Sequence, residues 1–393
     1  MEKRYRFRIY PTPEQERRIL VNFNCGRFIY NHFLAKQIET YKEKGVYTGL
    51  HDNTRVLPAL KRAAGYEWLN EAVSETLSYA LCDLDNAFKR FFRRVKRGEA
   101  APGFPKFKSK KSSFQSYRCK NKIPKPPKTA HSIAVGEKAV RLPKLGWVEC
   151  RVSDSIEGRI LNATVLQAPS GKYFVSLYCT EVENQPLPQT HHAVGLHLGI
   201  RHLAVTSEGE AFENHRYLEK SRKKLIRLQK ALSRKTSGSR NREKARKKLA
   251  RAHEKIVNQK TDRLHKLTTE LVRNYDTICV RDEQAGERRR DPVFAGYLAD
   301  VNWGGFVRML SYKSVWYGRE LVKIHRMSPS ARVCSGCGYR HRGLKPYQYT
   351  WDCPECGVRH DRRVNAAVNI LKEGLAVSAH RTQTTVRSGR PEV

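Results

Sequence analysis

Four cysteines near the end of the chain have the type and spacing of a metal site. Cys334-Ser335-Gly336-Cys337 and Cys353-Pro354-Glu355-Cys356 are two CxxC knuckles. Such a pair presents four thiolates to one ion in the tetrahedral geometry that zinc takes. A glycine follows each knuckle, Gly338 and Gly357, where the backbone can turn its amides toward the sulfurs. A redox dithiol is the alternative. Paired knuckles at this separation, in a reducing compartment, predict a structural Zn2+ held by Cys334, Cys337, Cys353 and Cys356, with no coordination position left for catalysis. The other six cysteines (Cys25, Cys82, Cys119, Cys150, Cys179, Cys279) stand singly among apolar residues, as buried thiols do, so no disulfide framework is expected.

Charge supplies the second kind of chemistry. The 393 residues carry a formal net charge of +38, with a pI of about 10.1. A chain this basic repels itself unless a polyanion lies against it, so nucleic acid is the expected partner. No apolar run is long enough to span a bilayer, and the N-terminus lacks the order of a signal peptide. A cytoplasmic protein with no membrane partner is therefore expected. The charge is densest in two helical segments, 218–235 and 240–273, joined at Thr236-Ser237-Gly238-Ser239. Lys223, Lys224, Arg227, Arg242 and Arg246 are the predicted phosphate contacts there, the alternative being a merely solvated face. Residues 98–129 are rich in proline, lysine and serine, with Phe104, Phe107, Phe114 and Tyr117 interleaved. That mixture suits backbone tracking and base stacking, although a plain basic loop would have a similar composition. Amide and hydroxyl groups of Ser113, Phe114, Gln115, Ser116 and Tyr117, with Ser74 and Ser78 upstream, are candidates to read base edges.

These residues need a scaffold, and the length allows two or three cores. Tyr5 to Tyr10 alternate like a strand and stop at Pro11-Thr12-Pro13. Thr12 then caps a helix, Pro13 opens it and Gln15 completes a capping box. Leu77, Leu81, Leu84, Phe88 and Phe91 recur at helical spacing. Residues 98–129 show no regular pattern, whereas 132–182 read as strands around the turn Pro169-Ser170-Gly171. Residues 183–192 read as a linker. Beyond it, strands at 193–200, 203–205, 277–281 and 321–324 are interspersed with helices, including one at 306–316, which indicates an α/β layer.

The order of these features resembles the TnpB family, the RNA-guided nucleases of small insertion sequences related to compact type V CRISPR effectors. The resemblance rests on the glycine-flanked strand at 193–200, the basic hairpin, the strand ending at Arg281-Asp282, the paired knuckles, and His360-Asp361-Arg362-Arg363-Val364-Asn365-Ala366-Ala367. It implies an α/β and β multi-domain fold, with a helical bundle and small β-barrel followed by a RuvC-like RNase H domain carrying a zinc ribbon. The implied boundaries are 1–10 and 118–185 for the barrel, 11–117 for the helical domain with its basic loop, 193–329 and 358–375 for the RuvC-like domain, 330–357 for the ribbon and 376–393 for a disordered tail. It also implies an omega-type guide RNA and double-stranded target DNA as partners, a nucleoid location when DNA-bound, and no oligomerisation.

The family places carboxylates for two magnesium ions at positions that here read His197, Arg281 and Arg363. Imidazole suits a hard cation poorly and guanidinium opposes it. Neighbouring Asp282 and Asp361 are the carboxylates that could stand in. The departure predicts no catalytic Mg2+, a chain that is not an enzyme, and a likeness to TnpB-derived repressors that occupy guide-matched promoter DNA beside a short motif. The alternative is an RNA-guided endonuclease with altered or residual RuvC activity.

Overall fold

The computed structural model describes residues 1–110, 114–122, 131–282, 300–325, 328, 331–345 and 348–388. It divides into two units, Met1–Glu183 and Asn184–Val393, and the boundary falls at the start of the expected linker.

The first unit opens with β1 (Lys3–Tyr10) and α1 (Pro13–Lys44). The capping box is formed: Gln15 N donates to Thr12 Oγ1 at 3.3 Å, and Thr12 N donates to Gln15 Oε1 at 3.0 Å. Next come α2 (Leu50–Leu60), a short 3-10 helix (Glu67–Glu71) and α3 (Ser74–Lys96). Leu77, Leu81, Leu84 and Phe88 of α3 bury against Cys25, Ile29 and Phe33 of α1, as the stripe predicts. Seven strands follow the order β2-β6-β7-β1-β5-β4-β3, every neighbour antiparallel. They are β2 (Gln115–Lys120), β3 (Ala134–Val135), β4 (Ala139–Leu142), β5 (Gly146–Arg151), β6 (Arg159–Gln167) and β7 (Tyr173–Thr180), with β1 inserted between β7 and β5. Alternation puts Tyr5, Phe7 and Ile9 inward, where they join Val165, Val175 and Leu177.

Three expectations change here. Residues 115–120 lie in the stretch read as irregular, yet they form β2, because Tyr117 and Cys119 alternate into the core. The expected barrel is an open sheet in its pairing: among the described residues β2 and β3 are its edges. The helices and sheet are also not separate bodies, since Ile19 and Phe23 of α1 and Val73 belong to the sheet's core.

The second unit is built on β8 (Ala193–Leu198), β9 (His202–Thr206), β10 (Ala211–Glu213), β11 (Thr277–Arg281) and β12 (Glu320–Ile324) in the order β10-β9-β8-β11-β12. The first three strands meander antiparallel, and β11 and β12 run parallel to β8. The basic hairpin is α4 (Tyr217–Ser233) and α5 (Arg240–Asn274), close to the predicted segments. With α6 (Trp303–Trp316), α5 covers one face through Leu264, Leu267, Phe306 and Leu310, which pack on Val194, Leu196, Ile278 and Val280. The other face receives α7 (Arg362–Ser388). Two glycines permit that approach: a Cβ on Gly195 would lie 2.1 Å from Ala367 O, and one on Gly374 would lie 2.4 Å from Cys279 Sγ.

Because α7 runs to Ser388, residues 376–388 are helical where disorder was expected, and 389–393 lie outside the described residues. Val377 packs against the cluster of Cys279, Val322 and Ile324, and Ser378 Oγ donates to Glu320 at 2.8 Å. Residues 183–192 are likewise anchored: Asp276 accepts from Thr190 N and His191 N, and Arg319 Nη2 donates to Pro188 O at 2.8 Å. The hairpin β13 (Thr350–Asp352) and β14 (Arg359–Asp361) carries the second knuckle, so the ribbon extends past 357.

Candidate nucleic-acid interface and metal centre

The four knuckle cysteines converge. Their sulfurs all lie within 4.8 Å of one another. Cys334 and Cys356 are separated by 3.6 Å between sulfurs, as are Cys337 and Cys353. This is too long for a disulfide, whose sulfurs sit about 2.05 Å apart. It is close to the roughly 3.8 Å that four sulfurs at about 2.3 Å from a tetrahedral zinc would show. Each knuckle closes alike, with Gly338 N donating to Cys334 O at 3.0 Å and Gly357 N to Cys353 O at 2.8 Å. Buried His360 brings Nε2 to 3.0 Å from Cys334 Sγ. Burial pushes the Cys334 thiol up, but the Cys337 N–H and then His360 outweigh it and bring it down to about 6, toward the thiolate a metal requires. The donor set fits a four-thiolate ion.

A second constellation lies in the first unit. A cavity of about 460 Å³ opens between α3 and β2, lined by Thr76, Tyr79, Gln115, Ser116 and Thr164, with Arg27, Lys108 and Arg118 around a single Asp83. The Arg118 guanidinium sits 4.7 Å from the Tyr79 ring centroid and 3.5 Å from Asp83. Lys108 lies 4.1 Å from the Tyr30 centroid and 3.7 Å from Asp83. Asn31 fixes the loop by bonding both backbone groups of Lys108, at 2.8 and 2.9 Å. Phe107 and Phe114 stand exposed at the rim.

Of the predicted base readers, Phe114, Gln115 and Ser116 line this cavity. Tyr117 lines it too, but its ring is buried against Phe23 at 5.8 Å, so it acts as a core residue. Ser113 lies outside the described residues. Ser74 and Ser78 are not in the lining; the helical turn instead offers Thr76, Tyr79 and Asp83. Thr76, Tyr79 and Asp83 are three and four residues apart and so share a face of the helix, one that spacing from Ser74 and Ser78 does not reach.

A surface missed from sequence continues this face. Arg4, Arg6 and Arg8 point outward from β1, their guanidinium groups 5.2 Å from Tyr178, 4.4 Å from Phe174 and 4.7 Å from Tyr10. The register aligns Arg6, Ser176, Thr164 and Arg118 in one row across four strands, so the arginines lie on the same side of the sheet as the cavity. The signal was present in the alternation of arginine with inward apolar residues.

On the basic hairpin, Lys223, Lys224 and Arg227 are exposed. Arg242 and Arg246 are not free contacts. Arg242 Nη1 donates to Leu232 O and Lys235 O at 3.2 and 2.8 Å and closes the turn, and Arg246 forms a bidentate pair with Glu243 at 2.7 and 2.8 Å.

The three positions assigned by resemblance to a catalytic metal converge on one corner of the second sheet. Gly195 and Cys279 face α7, so by alternation His197 and Arg281 point the same way from the C-terminal ends of adjacent parallel strands. Arg363 lies in the first turn of α7. Asp361 is the helix cap, accepting from Arg363 N at 2.8 Å and Val364 N at 3.2 Å, and it pairs with Arg363 Nη2 at 2.7 Å. Burial raises its carboxyl, but these bonds outweigh that and hold it below the usual range. His202 is held below its usual value, first by burial and then by Arg363 and Arg201. One imidazole and two guanidinium groups do not make a magnesium site.

Known proteins place this arrangement in a family. Residues 177–287 match the profile described as "Probable transposase" (OrfB of IS605), and residues 303–370 match "Cas12f1-like, TNB domain". Residues 1–45 match a "Helix-turn-helix domain", which here is β1 followed by the single helix α1. A Streptomyces pristinaespiralis protein described as "Putative RNA-guided DNA endonuclease" is 35% identical over 382 residues, 96% of this chain and 91% of that one. InsQ of Escherichia coli K12, described in the same words, is 31% identical over 98% of this chain and 95% of its own. The Cas12f1 chain solved as a Cas12f1-sgRNA-target DNA complex has the same fold, with a TM-score of 0.59 at 12% identity, covering 94% of this chain and 98% of that one. The chain belongs to the TnpB family of IS605-type OrfB proteins. The expectation of a non-enzyme is thereby corrected: relatives alike over nearly the whole length are described as endonucleases, which points to a nuclease. No helix among the described residues is long and apolar enough to cross a membrane.

Proposed function

We propose that the chain binds DNA under the direction of an omega-type guide RNA and reads a short adjacent motif in the cavity between α3 and β2. That cavity carries the proposal. It combines the amide of Gln115 and the hydroxyls of Ser116, Thr76 and Thr164 with three cations and exposed aromatic rings. These groups can bond base edges and phosphates together. Arg4, Arg6 and Arg8, with Lys223, Lys224 and Arg227 on the hairpin, supply further phosphate contacts. The cysteine cluster holds zinc, and about one zinc per chain is expected by elemental analysis; a metal-free, folded protein would refute it.

Occupancy of a promoter would repress transcription by blocking polymerase. Strand cleavage, the activity named for the relatives, is the second reading. At the α7 corner it would have to draw on carboxylates other than the three family positions, with Asp361 and Asp282 the nearest in sequence. The test uses protein purified with its RNA, a matched duplex, and magnesium or a chelator, with retention and scission scored in one reaction. Retention that needs the matched sequence and the adjacent motif supports the proposal. Equal retention of unrelated duplex contradicts it. Magnesium-dependent scission would assign cleavage to this chain.

A further inference from the structure

We infer that the groove between α4 and α5 is a binding site for one unpaired nucleotide of the bound RNA, with its base on an aliphatic floor and its phosphate at the rim. The inference rests on the RNA-guided reading above and adds a site to it. The groove has a volume of about 620 Å³, within the roughly 300–1,000 Å³ common for small-ligand sites. Leu218, Leu225 and Ile226 come to it from one face of α4. Leu225 is buried, but Ile226 remains 40% exposed, an aliphatic side chain left open on a helix otherwise crowded with lysine and arginine. Arg222 and Gln229 of α4 and His253 of α5 form the rim. None of these three has a hydrogen-bond or ion-pair partner among the described residues.

The acids at the groove are already neutralised. Asp300 accepts from Leu218 N at 2.8 Å and Glu219 N at 3.2 Å, so it caps α4, and it pairs with Lys260 at 2.9 Å. Glu219 pairs with Arg216 at 3.5 Å. What remains is an apolar floor, two groups able to bond a base edge (Gln229 and His253) and one guanidinium for a phosphate. This combination fits a nucleotide better than an apolar peptide, which would leave Arg222 unmatched, or an acidic one, which would have no use for the floor. Exposed Lys223, Arg227, Arg251 and Lys255 on the same hairpin extend the positive surface along which a strand would arrive.

The test uses the full chain with its RNA carrying 4-thiouridine at single positions, followed by irradiation and mapping of the cross-linked peptide. One RNA position should cross-link to the peptide holding Ile226 and Gln229, or to that holding His253. I226E should abolish this cross-link and weaken RNA binding about tenfold. R222Q should lower the slope by about 0.7. I226A, which only shortens an exposed side chain, should give an intermediate loss and guards against a misfolded I226E. RNA that co-purifies but cross-links elsewhere, or along the hairpin at many positions alike, overturns the site and leaves guide binding standing. If no RNA co-purifies, the RNA-guided reading itself fails.

Discussion

Gly195 shows how much a single residue carries. A side chain there meets the backbone of α7 and not a flexible tip, so α7 cannot seat on β8 without moving. Gly195→Ala should cost at least the roughly 1–3 kcal/mol of ordinary overpacking, read as a lower denaturant midpoint. Lys313 makes a different prediction. Its ammonium is buried and donates to His265 O, Thr268 Oγ1 and Thr269 Oγ1 at 2.7 to 2.8 Å, with no carboxylate paired to it among the described residues. Burial, and then Arg273, lowers its pKa to about 8. Below about 8 the amine is charged in both the folded and unfolded chain, and the fold bears the full cost of burying it. Between about 8 and the ordinary 10.5 the folded amine is neutral while the unfolded one still binds a proton, so stability rises with pH. The pH–stability curves of wild type and Lys313→Met should therefore diverge by up to roughly 3 kcal/mol across that window. Parallel curves would mean that Lys313 keeps an ordinary pKa.

At the scale of elements, the hairpin of α4 and α5 separates exposed cations from structural ones. Replacing Lys223, Lys224 and Arg227 together by Gln should reduce the slope of log affinity against log salt by roughly 2 for single-stranded nucleic acid. Arg242→Gln should leave the slope nearly unchanged and lower the melting temperature, because that guanidinium holds the turn. The sequence could not separate these two roles, since one basic residue looks like another until its partners are known. Elsewhere the local signals were sufficient. The capping box, the apolar stripe of α3, both hairpin helices and the strand Thr277–Arg281 fold close to their expected limits. Failure came where a short pattern depended on distant partners. β2 was hidden in a proline- and lysine-rich stretch because only its pairing with β6 makes Tyr117 and Cys119 inward residues. The final helix was cut short because a serine- and threonine-rich sequence has weak helical propensity, and the packing of Val377 and the bond of Ser378 to Glu320 on the sheet are long-range contacts the sequence does not show.

Across the whole molecule, each unit brings its own surface: the first a polar cavity beside an arginine row, the second a basic hairpin and a four-cysteine ribbon. The convergence of the four cysteines was fully legible, because two knuckles define it locally. The cavity between α3 and β2 was partly legible, since Phe114, Gln115 and Ser116 were singled out together while Thr76, Tyr79, Lys108 and Arg118 needed the fold to bring α3, β2 and their loop together. The inference from His197, Arg281 and Arg363 to a chain without enzymatic activity went further than the relatives allow. A ligand set assigned by resemblance is a statement about three positions, and activity belongs to the whole site.

The central claim is that a guide RNA chooses the DNA this protein holds. The most direct measurement is the affinity of the protein–RNA complex for one duplex before and after the RNA's guide segment is exchanged for an unrelated sequence, at fixed salt and with the adjacent motif kept. Exchange of the guide should weaken binding on the order of a thousandfold, and a duplex matched to the new guide should recover it. Equal affinity for the same duplex under both guides would contradict the claim and leave a basic protein that binds DNA by charge alone.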